Sequence, residues 1–214
     1  MNISKNILLI ANGEFPKIKL IKEILPQEYS IVCCDGAAEK AYNKNLEIDI
    51  IIGDMDSINP RLYSKLTDRI IQIDGQGTND LSKALDWLNK NDVESITIIG
   101  ADGLRDDHSL GNILLLLENK YKYKIRMITK FGRFDLMNTS KQSFTSFNGQ
   151  PISIFCLDKD VKLNSKSLQY PLNDFSFSKL HKATLNASTG DSFEIRSNKK
   201  DVNILVYRAN AETK

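Results

Sequence analysis

The chain has 214 residues, of which 41% are hydrophobic and 26% charged, a composition ordinary for a folded soluble protein of one large domain or two small ones. The net charge of +2 and the lack of any block of five or more lysines and arginines argue against a nucleic acid partner. No run approaches the ~18 apolar residues of a membrane span, so no membrane partner is expected, and three cysteines without disulfide or zinc spacing favour a cytoplasmic protein.

Strands and helices are predicted to alternate through the first 130 residues. Apolar runs predict strands over residues 6–10, 29–34, 50–52, 70–73, 96–99 and 125–129. Helical spacing of apolar residues predicts helices over residues 17–25, 37–42, 81–90 and 110–117, and Pro60 opens a short one. Such alternation is typical of a parallel sheet with right-handed crossovers.

Two carboxylates follow the strand predicted over residues 50–52, after a glycine. If the backbone stays extended past Gly53, the side chains of Asp54 and Asp56 point to the same side. Two ionised carboxylates held close together repel each other unless a cation lies between them, and oxygen ligands suit Mg²⁺. The alternative is a solvated turn whose aspartates cap the next helix, because a bare Asp-x-Asp is a weak motif.

Polar residues also follow the second, fourth and fifth predicted strands. They include Asp35, the loop 74–80 with Lys83 one helical turn beyond Asp80, and the loop 100–108. Ligands of open α/β sheets bind at the carboxyl ends of the strands, so these loops are predicted to meet at one edge. Their convergence favours a site for a metal ion and phosphate.

The pattern changes near residue 131 to short β-type segments separated by turns. Strands are predicted over residues 143–147, 151–157, 180–185, 192–195 and 202–207. They predict a small antiparallel sandwich or barrel. The expected domains are therefore residues 1–132, an α/β domain, and residues 133–214, a β-rich domain.

Five stretches resemble, in order and spacing, the thiamine pyrophosphokinase family. They are Cys34-Asp35-Gly36-Ala37-Ala38, Ile52-Gly53-Asp54-Met55-Asp56-Ser57, Asn79-Asp80-Leu81-Ser82-Lys83-Ala84, Gly100-Ala101-Asp102-Gly103-Leu104-Arg105-Asp106-Asp107-His108 and Leu168-Gln169-Tyr170-Pro171-Leu172. The chain departs from the family where Ala37 and Leu104 replace glycine and Asn79 replaces threonine. These changes keep the acidic residues but add side chains at two positions of close backbone approach.

The resemblance implies an N-terminal Rossmann-like domain that binds nucleotide and metal, and a C-terminal domain for thiamine binding and dimerisation. It implies a Mg²⁺-dependent homodimer that transfers the pyrophosphoryl group of ATP to the hydroxyl of thiamine and releases AMP. Thiamine would lie at the dimer interface, where it contacts the β-rich domain of the partner chain.

The resemblance also assigns roles to single residues. Asp54, Asp56 and Asp80 would hold the metal. Asp107 would orient or deprotonate the thiamine hydroxyl or complete the metal shell, although the neighbouring Asp106 stays an alternative. Arg105 would bind phosphate. The other residues expected to bind the nucleotide or thiamine are Asp35, Gln76, Lys83, Gly100, Gly103, Asn186 and Ser188.

Two other functions remain open from the residues. The stretch around Asp54 also resembles the nucleophile motif of haloacid-dehalogenase phosphatases, although there the aspartate follows the first strand. A non-catalytic nucleotide sensor is the second alternative, but it would not need a cluster of aspartates. Trp87 lies among leucines on a predicted helix and is interpreted as a packing residue rather than as a stacking platform.

Overall fold

The computed structural model describes residues 3–15, 27–75, 77–118 and 120–211. These residues fall into two compact units, the first within Met1–Asn112 and Tyr121–Lys130 and the second within Ile113–Lys120 and Phe131–Lys214. The helix predicted over residues 17–25 and the binding residue Gln76 both lie outside the described ranges.

The first unit is built on six parallel strands. They are β1 (Asn6–Ile10), β2 (Ser30–Cys34), β3 (Ile50–Gly53), β4 (Ile70–Gln72), β5 (Ser95–Ile99) and β6 (Lys124–Ile128). They lie in the order β6-β5-β1-β2-β3-β4, and every neighbouring pair is parallel. The apolar runs are buried on both faces, as in β3 where all three isoleucines are fully buried, so the prediction of a parallel sheet is confirmed.

Within the described ranges four α-helices accompany these strands, and polar caps fix where two of them begin. They are α1 (Ala37–Asn43), α2 (Pro60–Lys65), α3 (Asp80–Leu88) and α4 (Asp106–Glu118). Asn59 accepts a hydrogen bond from the Arg61 amide before α2, and Asn79 accepts one from the Ser82 amide at 2.9 Å before α3. Within the described ranges, no helix combines the length and hydrophobicity needed to cross a membrane.

The order of the strands reverses at β1, and this reversal positions the site. The chain proceeds from β1 outward through β2, β3 and β4, and then returns to the other side of β1 as β5. Loops that leave the carboxyl ends of two such strands depart in opposite directions and leave a crevice between them. The residues that follow β1 and β5 therefore border the natural binding site of this sheet.

The second unit consists of eight antiparallel strands in two groups. The strands are β7 (Gly132–Met137), β8 (Lys141–Thr145), β9 (Pro151–Phe155), β10 (Lys162–Lys166), β11 (Phe175–Ser176), β12 (Asn186–Ala187), β13 (Ser192–Ser197) and β14 (Ile204–Ala209). One group has the order β12-β9-β14-β7 and the other β11-β10-β13-β8. The fold is thus mixed α/β, with a mainly parallel sheet and a separate antiparallel sheet.

One predicted strand of the second unit is wrong. Residues 180–185 contain a 3-10 helix, Leu180–Ala183, instead of a strand. Its hydrogen bonds are local, and of these six residues only Ala183 is buried, while Leu185 is 88% exposed with a φ of 62°. The two leucines lie five residues apart without the alternation that a strand needs, so apolar content alone was misleading.

A buried ion pair joins two neighbouring strands of the second unit, and its arginine also reaches the other group of strands. Arg208 of β14 and Asp135 of β7 are 3% and 8% exposed, and their side chains approach to 2.5 Å. Arg208 also donates to the Thr145 carbonyl of β8 and lies 5.3 Å from the centroid of the Phe144 ring. One guanidinium therefore ties both sheets of this unit together.

Candidate active site

Three aspartates from two neighbouring strand ends meet in one cluster. Asp35 follows β2, and Asp54 and Asp56 follow β3; each offers a carboxylate oxygen, and these atoms lie within 4.8 Å of one another. Asp35 is fully buried, Asp54 half-buried and Asp56 exposed. The cluster is therefore open on one side and closed on the other, which is the arrangement a bound cation shared with a ligand requires.

Local backbone geometry brings these carboxylates together in a way that differs from the predicted extended chain. Met55 has a φ of 68°, so the backbone turns sharply between Asp54 and Asp56. At Gly53, an added Cβ would lie 2.6 Å from the Cβ of Asp35, so only glycine allows the two strand ends to approach this closely. Both aspartates reach the cluster because of this turn, and not because of strand alternation.

Lys83 is the cation that faces the aspartates. Its side chain is only 5% exposed, and its Nζ donates to Asp54 Oδ2 at 2.8 Å and to Asp80 Oδ1 at 3.1 Å. The hydrogen bond from Lys83 lowers the pKa of Asp54, and the same bond raises the pKa of Lys83. The predicted pairing of Lys83 with Asp80 is present, and Asp80 lies beside the cluster rather than among its three members.

The cluster has the chemistry of a site for a divalent cation. Asp35, Asp54 and Asp56 lie together, and Lys83 bonds to Asp54 and Asp80. Among the described residues the salt bridges of this group involve only that one ammonium, so the carboxylates carry excess negative charge. Burial raises the pKa of Asp35, and its Oδ1 has no hydrogen-bond partner among the described residues, although Oδ2 accepts from the Ser57 amide. An unpaired buried carboxylate oxygen is costly unless a ligand satisfies it, and Mg²⁺ prefers such oxygens.

A cavity of about 450 Å³ extends from this cluster to the crevice between β1 and β5. The sequence predicted that the loops after the second, third, fourth and fifth strands meet at this edge. Residues that follow β3, β4 and β5 line the cavity, whereas β2 contributes its last residue, Cys34. The cavity is also lined by Asn12 and Thr78, to which no role was assigned from the sequence, and by Asn112, at the end of the stretch from Gly100 that resembles the family. Asn12 lies two residues after the end of β1, and this position at the carboxyl end of a strand was the signal that could have placed it in the cavity wall.

Two contacts hold the walls of this cavity in place. Asn112 of α4 donates to the Ala101 carbonyl at 2.8 Å and accepts from the Asn79 amide group at 3.0 Å, so it links the loop after β5 to the start of α3. Lys40 of α1 donates to the carbonyls of Asn12 and Gly13 at 2.7 and 2.9 Å. Both contacts connect loops that would otherwise be free at the carboxyl edge.

The loop after β5 depends on two of the predicted glycines. Gly100 and Gly103 have φ values of 67° and 94°, which side chains rarely adopt. An added Cβ at Gly100 would collide with the Ala11 carbonyl, and one at Gly103 would collide with Glu14. Leu104 is 69% exposed and Ala37 fully buried at the start of α1, so both departures from the family pattern are accommodated.

Arg105 and Asp107 form a bidentate pair at the edge of the cavity. Arg105 Nε donates to Asp107 Oδ1 at 3.0 Å, and a terminal nitrogen donates to Oδ2 at 2.6 Å; both side chains are more than 60% exposed. An ordinary surface ion pair of Arg105 could equally have used Asp102 or Asp106, and the contacts it makes are with Asp107. This hydrogen bonding lowers the pKa of Asp107 to about 2.

We expect Arg105→Gln to raise the pKa of Asp107 from about 2 toward its ordinary value, since the first cause of the depression is removed. A depressed carboxyl pKa stabilises the fold above the unfolded pKa, and this contribution is lost as pH falls from about 4 through about 2. Carboxyl carbon NMR titration measures the shift directly. Arg61→Gln, an exposed control, should leave the Asp107 titration unchanged, and an unaltered titration in Arg105→Gln would contradict the pairing.

The predicted thiamine contacts, Asn186 and Ser188, belong to the second unit and are buried. Asn186 accepts from the Tyr170 amide at 3.0 Å and donates to its carbonyl at 2.7 Å. The Ser188 and Ser146 hydroxyls lie 2.7 Å apart. Their polar atoms thus hold the turn that carries the exposed Tyr170, and a direct contact with a substrate would require some of these bonds to exchange.

Comparison with known families gives two adjacent matches. The model described as "Thiamin pyrophosphokinase, catalytic domain" matches residues 21–129, which is about half of the chain. The model described as "Thiamin pyrophosphokinase, substrate-binding domain" matches residues 132–207. The aspartate cluster lies within the first match, whereas the cavity is also lined by Ala11, Asn12 and Gly13, which precede it.

Individual relatives carry the same name. The chain is 34% identical to thiamine pyrophosphokinase 1 of Oryza sativa subsp. japonica over 110 residues, and 32% identical to thiamine pyrophosphokinase of Bacillus subtilis over 130 residues. These alignments cover 40% and 57% of this chain, but only 42% and 60% of the two relatives. The crystal structure of the B. subtilis protein shares the fold, with a TM-score of 0.80 and 21% identity over 96% of this chain and 99% of that one.

Proposed function

This chain belongs to the thiamine pyrophosphokinase family, and we propose on that basis that it transfers the pyrophosphoryl group of ATP to the hydroxyl of thiamine. The products are then thiamine diphosphate and AMP. The observation that carries the proposal is the cluster of Asp35, Asp54 and Asp56. Asp54 and Asp56, together with the buried Lys83, line a cavity at the carboxyl edge of the sheet, and Asp35 lies buried behind them. Such a site combines cation binding with phosphate binding, as pyrophosphoryl transfer requires.

Asp54 and Asp56 would hold Mg²⁺, with Asp35 and Asp80 as the nearest further carboxylates. Bound there, the ion neutralises charge on the transferring phosphoryl oxygens. Because Oδ1 of Asp35 is buried without a hydrogen-bond partner among the described residues, we add Asp35 to the predicted metal ligands Asp54, Asp56 and Asp80. Lys83 bridges Asp54 and Asp80 and would supply positive charge on the wall of the cavity.

Arg105 and Asp107 would act when the substrates are present. The guanidinium is suited to bidentate binding of phosphate, and when it turns to phosphate it releases Asp107. Free of Arg105, the Asp107 carboxylate regains its ordinary basicity and can accept the proton of the thiamine hydroxyl. The pair therefore keeps Asp107 a weak base until a phosphate arrives.

The activity is tested by incubating the purified protein with ATP and Mg²⁺, with and without thiamine, and by separating the nucleotides. We expect AMP to accumulate only when thiamine is present. Release of inorganic phosphate without thiamine, together with an aspartyl-phosphate on Asp54, would favour the haloacid-dehalogenase alternative. That alternative is not supported by the names of the relatives or by the position of Asp54 after the third strand.

The proposal includes a homodimer in which Asn186 and Ser188, or the turn they hold, contact thiamine bound to the partner chain. Mixing Asp54→Asn with Asn186→Ala protein should then restore about a quarter of the wild-type activity, because half of the randomly assorted dimers carry one intact site. The two variants measured separately are the controls, each checked for folding by thermal unfolding. Mixtures no more active than the sum of the separate variants, or a fully active monomer in light scattering, would overturn this part.

The finer description of the two domains also belongs to the proposal. The reversal of strand order at β1 supports a Rossmann-like domain for residues 1–132, and the two antiparallel groups support a sandwich or barrel for residues 133–214. The three cysteines are buried and free, which supports the proposed cytoplasmic setting.

A further inference from the structure

A second cavity, of about 310 Å³, adjoins the cavity that contains the aspartates. Gly75, Thr78 and Lys83 line both, so the two form one continuous groove. Apart from Lys83, no described residue with a predicted role in metal, nucleotide or thiamine binding lines the second cavity. The half-buried side chain of Trp87 lines the second cavity but not the first.

Helix α3 sets the distance between Trp87 and the aspartates. Asp80, Lys83 and Trp87 lie at positions i, i+3 and i+7, so they share one face of the helix. Seven residues at 1.5 Å each separate Asp80 from Trp87 by about 10 Å along the helix axis. A nucleotide whose phosphates lie at the aspartates can span this length with its ribose and base.

The loop over the second cavity leaves room beside its backbone. Gly75 has a φ of 122°, which explains the glycine at that position. Gly77 has no left-handed φ, and an added Cβ there would meet no other atom within 4 Å among the described residues. Neither backbone strain nor packing requires a glycine at position 77, which fits the close approach of a flat ligand to the backbone.

In place of the interpretation of Trp87 as a packing residue, we propose that the second cavity binds the base and ribose of the nucleotide, with the indole of Trp87 as the stacking surface. This inference rests on the proposed function for the identity of the ligand and adds the place of its nucleoside part. Indole rings stack on nucleobases of any type because every base has a π face. Asp86, in the same cavity, can accept a hydrogen bond from a ribose hydroxyl or an exocyclic amino group.

The chain contains a single tryptophan, so its intrinsic fluorescence reports on Trp87 alone. Titration of the wild-type protein with AMP or ATP in the presence of Mg²⁺ should quench this fluorescence to saturation. Titration with pyrophosphate, which has no base, should leave it nearly unchanged. Equal quenching by pyrophosphate and AMP, or no quenching by either nucleotide, would overturn the proposal.

Steady-state kinetics provide the second test. Trp87→Leu should raise the KM for ATP about tenfold or more, because a stacking contact is lost, while kcat at saturating ATP and the KM for thiamine change little. Trp87→Phe keeps an aromatic face and should recover most of the affinity. The matched control is Tyr42→Leu, since Tyr42 is another exposed aromatic residue of the same unit, and it should leave the KM for ATP unaltered.

These results separate the two proposals. Quenching by AMP without any thiamine-dependent AMP formation would support the proposed binding site for the base and overturn the proposed reaction. Normal pyrophosphoryl transfer with an unchanged KM for ATP in Trp87→Leu would support the proposed reaction and overturn the proposed binding site for the base.

Discussion

Asp54→Asn is expected to lower kcat by about 10³-fold or more at millimolar Mg²⁺, while the protein stays folded. The substitution removes a charged ligand from the predicted metal site, and the electrostatic contribution of a catalytic metal amounts to several kcal/mol, at about 1.4 kcal/mol for each factor of ten. Folding should survive because Lys83 keeps its bond to Asp80 and the site is partly open to solvent. Asp56→Asn should have a similar effect.

The controls distinguish a lost ligand from a lost charge. Asp68→Asn removes one negative charge from an exposed position of the same unit and should leave kcat unchanged. Calorimetric titration with Mg²⁺ or Mn²⁺ should detect weaker binding to Asp54→Asn than to Asp68→Asn, which provides a readout independent of turnover. Activity of Asp54→Asn within tenfold of the wild type would contradict the assignment.

The largest effect on stability is expected at the buried ion pair of the second unit. Asp135→Ala should lower the free energy of unfolding by about 3–5 kcal/mol, because it leaves the buried guanidinium of Arg208 without its main partner. Arg208→Met should cost less, since Arg133 lies 3.6 Å from Asp135 and keeps it partly neutralised. Urea denaturation measures both differences.

A double variant separates the ion pair from its packing. Asp135→Leu combined with Arg208→Met should recover much of the lost stability, because apolar residues can replace a buried ion pair. Arg196→Met, which removes an exposed partner of Glu194 in the same unit, should cost less than about 1 kcal/mol. An Asp135→Ala protein within 1 kcal/mol of the wild type would show that the pair does not hold the two sheets.

The parallel sheet could be predicted because its strands are apolar runs bounded by polar loops, as residues 50–52 illustrate. The second unit was harder to predict, since β7, β10, β11 and β12 are short or rich in polar residues and carry little periodic signal. The strand wrongly predicted over residues 180–185 also lies in a segment without a periodic signal. Where burial is partial, local turn geometry outweighs apolar content.

The sequence identified residues of the candidate site but did not predict how they are arranged. The motifs identified Asp54, Asp56 and Lys83, but the turn at Met55 and the orphaned oxygen of Asp35 depend on how two strand ends pack against Gly53. Asn12 and Asn112 act through contacts between loops far apart in sequence. No local pattern encodes such contacts, so only the folded chain reveals them.

The most direct test of the proposed reaction follows the β-phosphorus of ATP. Direct pyrophosphoryl transfer requires attack of the thiamine hydroxyl at this atom with AMP as the leaving group. In the proposed mechanism, positioning by the aspartates, Lys83 and Arg105 would supply most of the acceleration. With ATP labelled at the β-position, the label should appear in thiamine diphosphate, and AMP should form in equal amount. Formation of ADP and thiamine monophosphate instead would mean single phosphoryl transfer and would contradict the central claim.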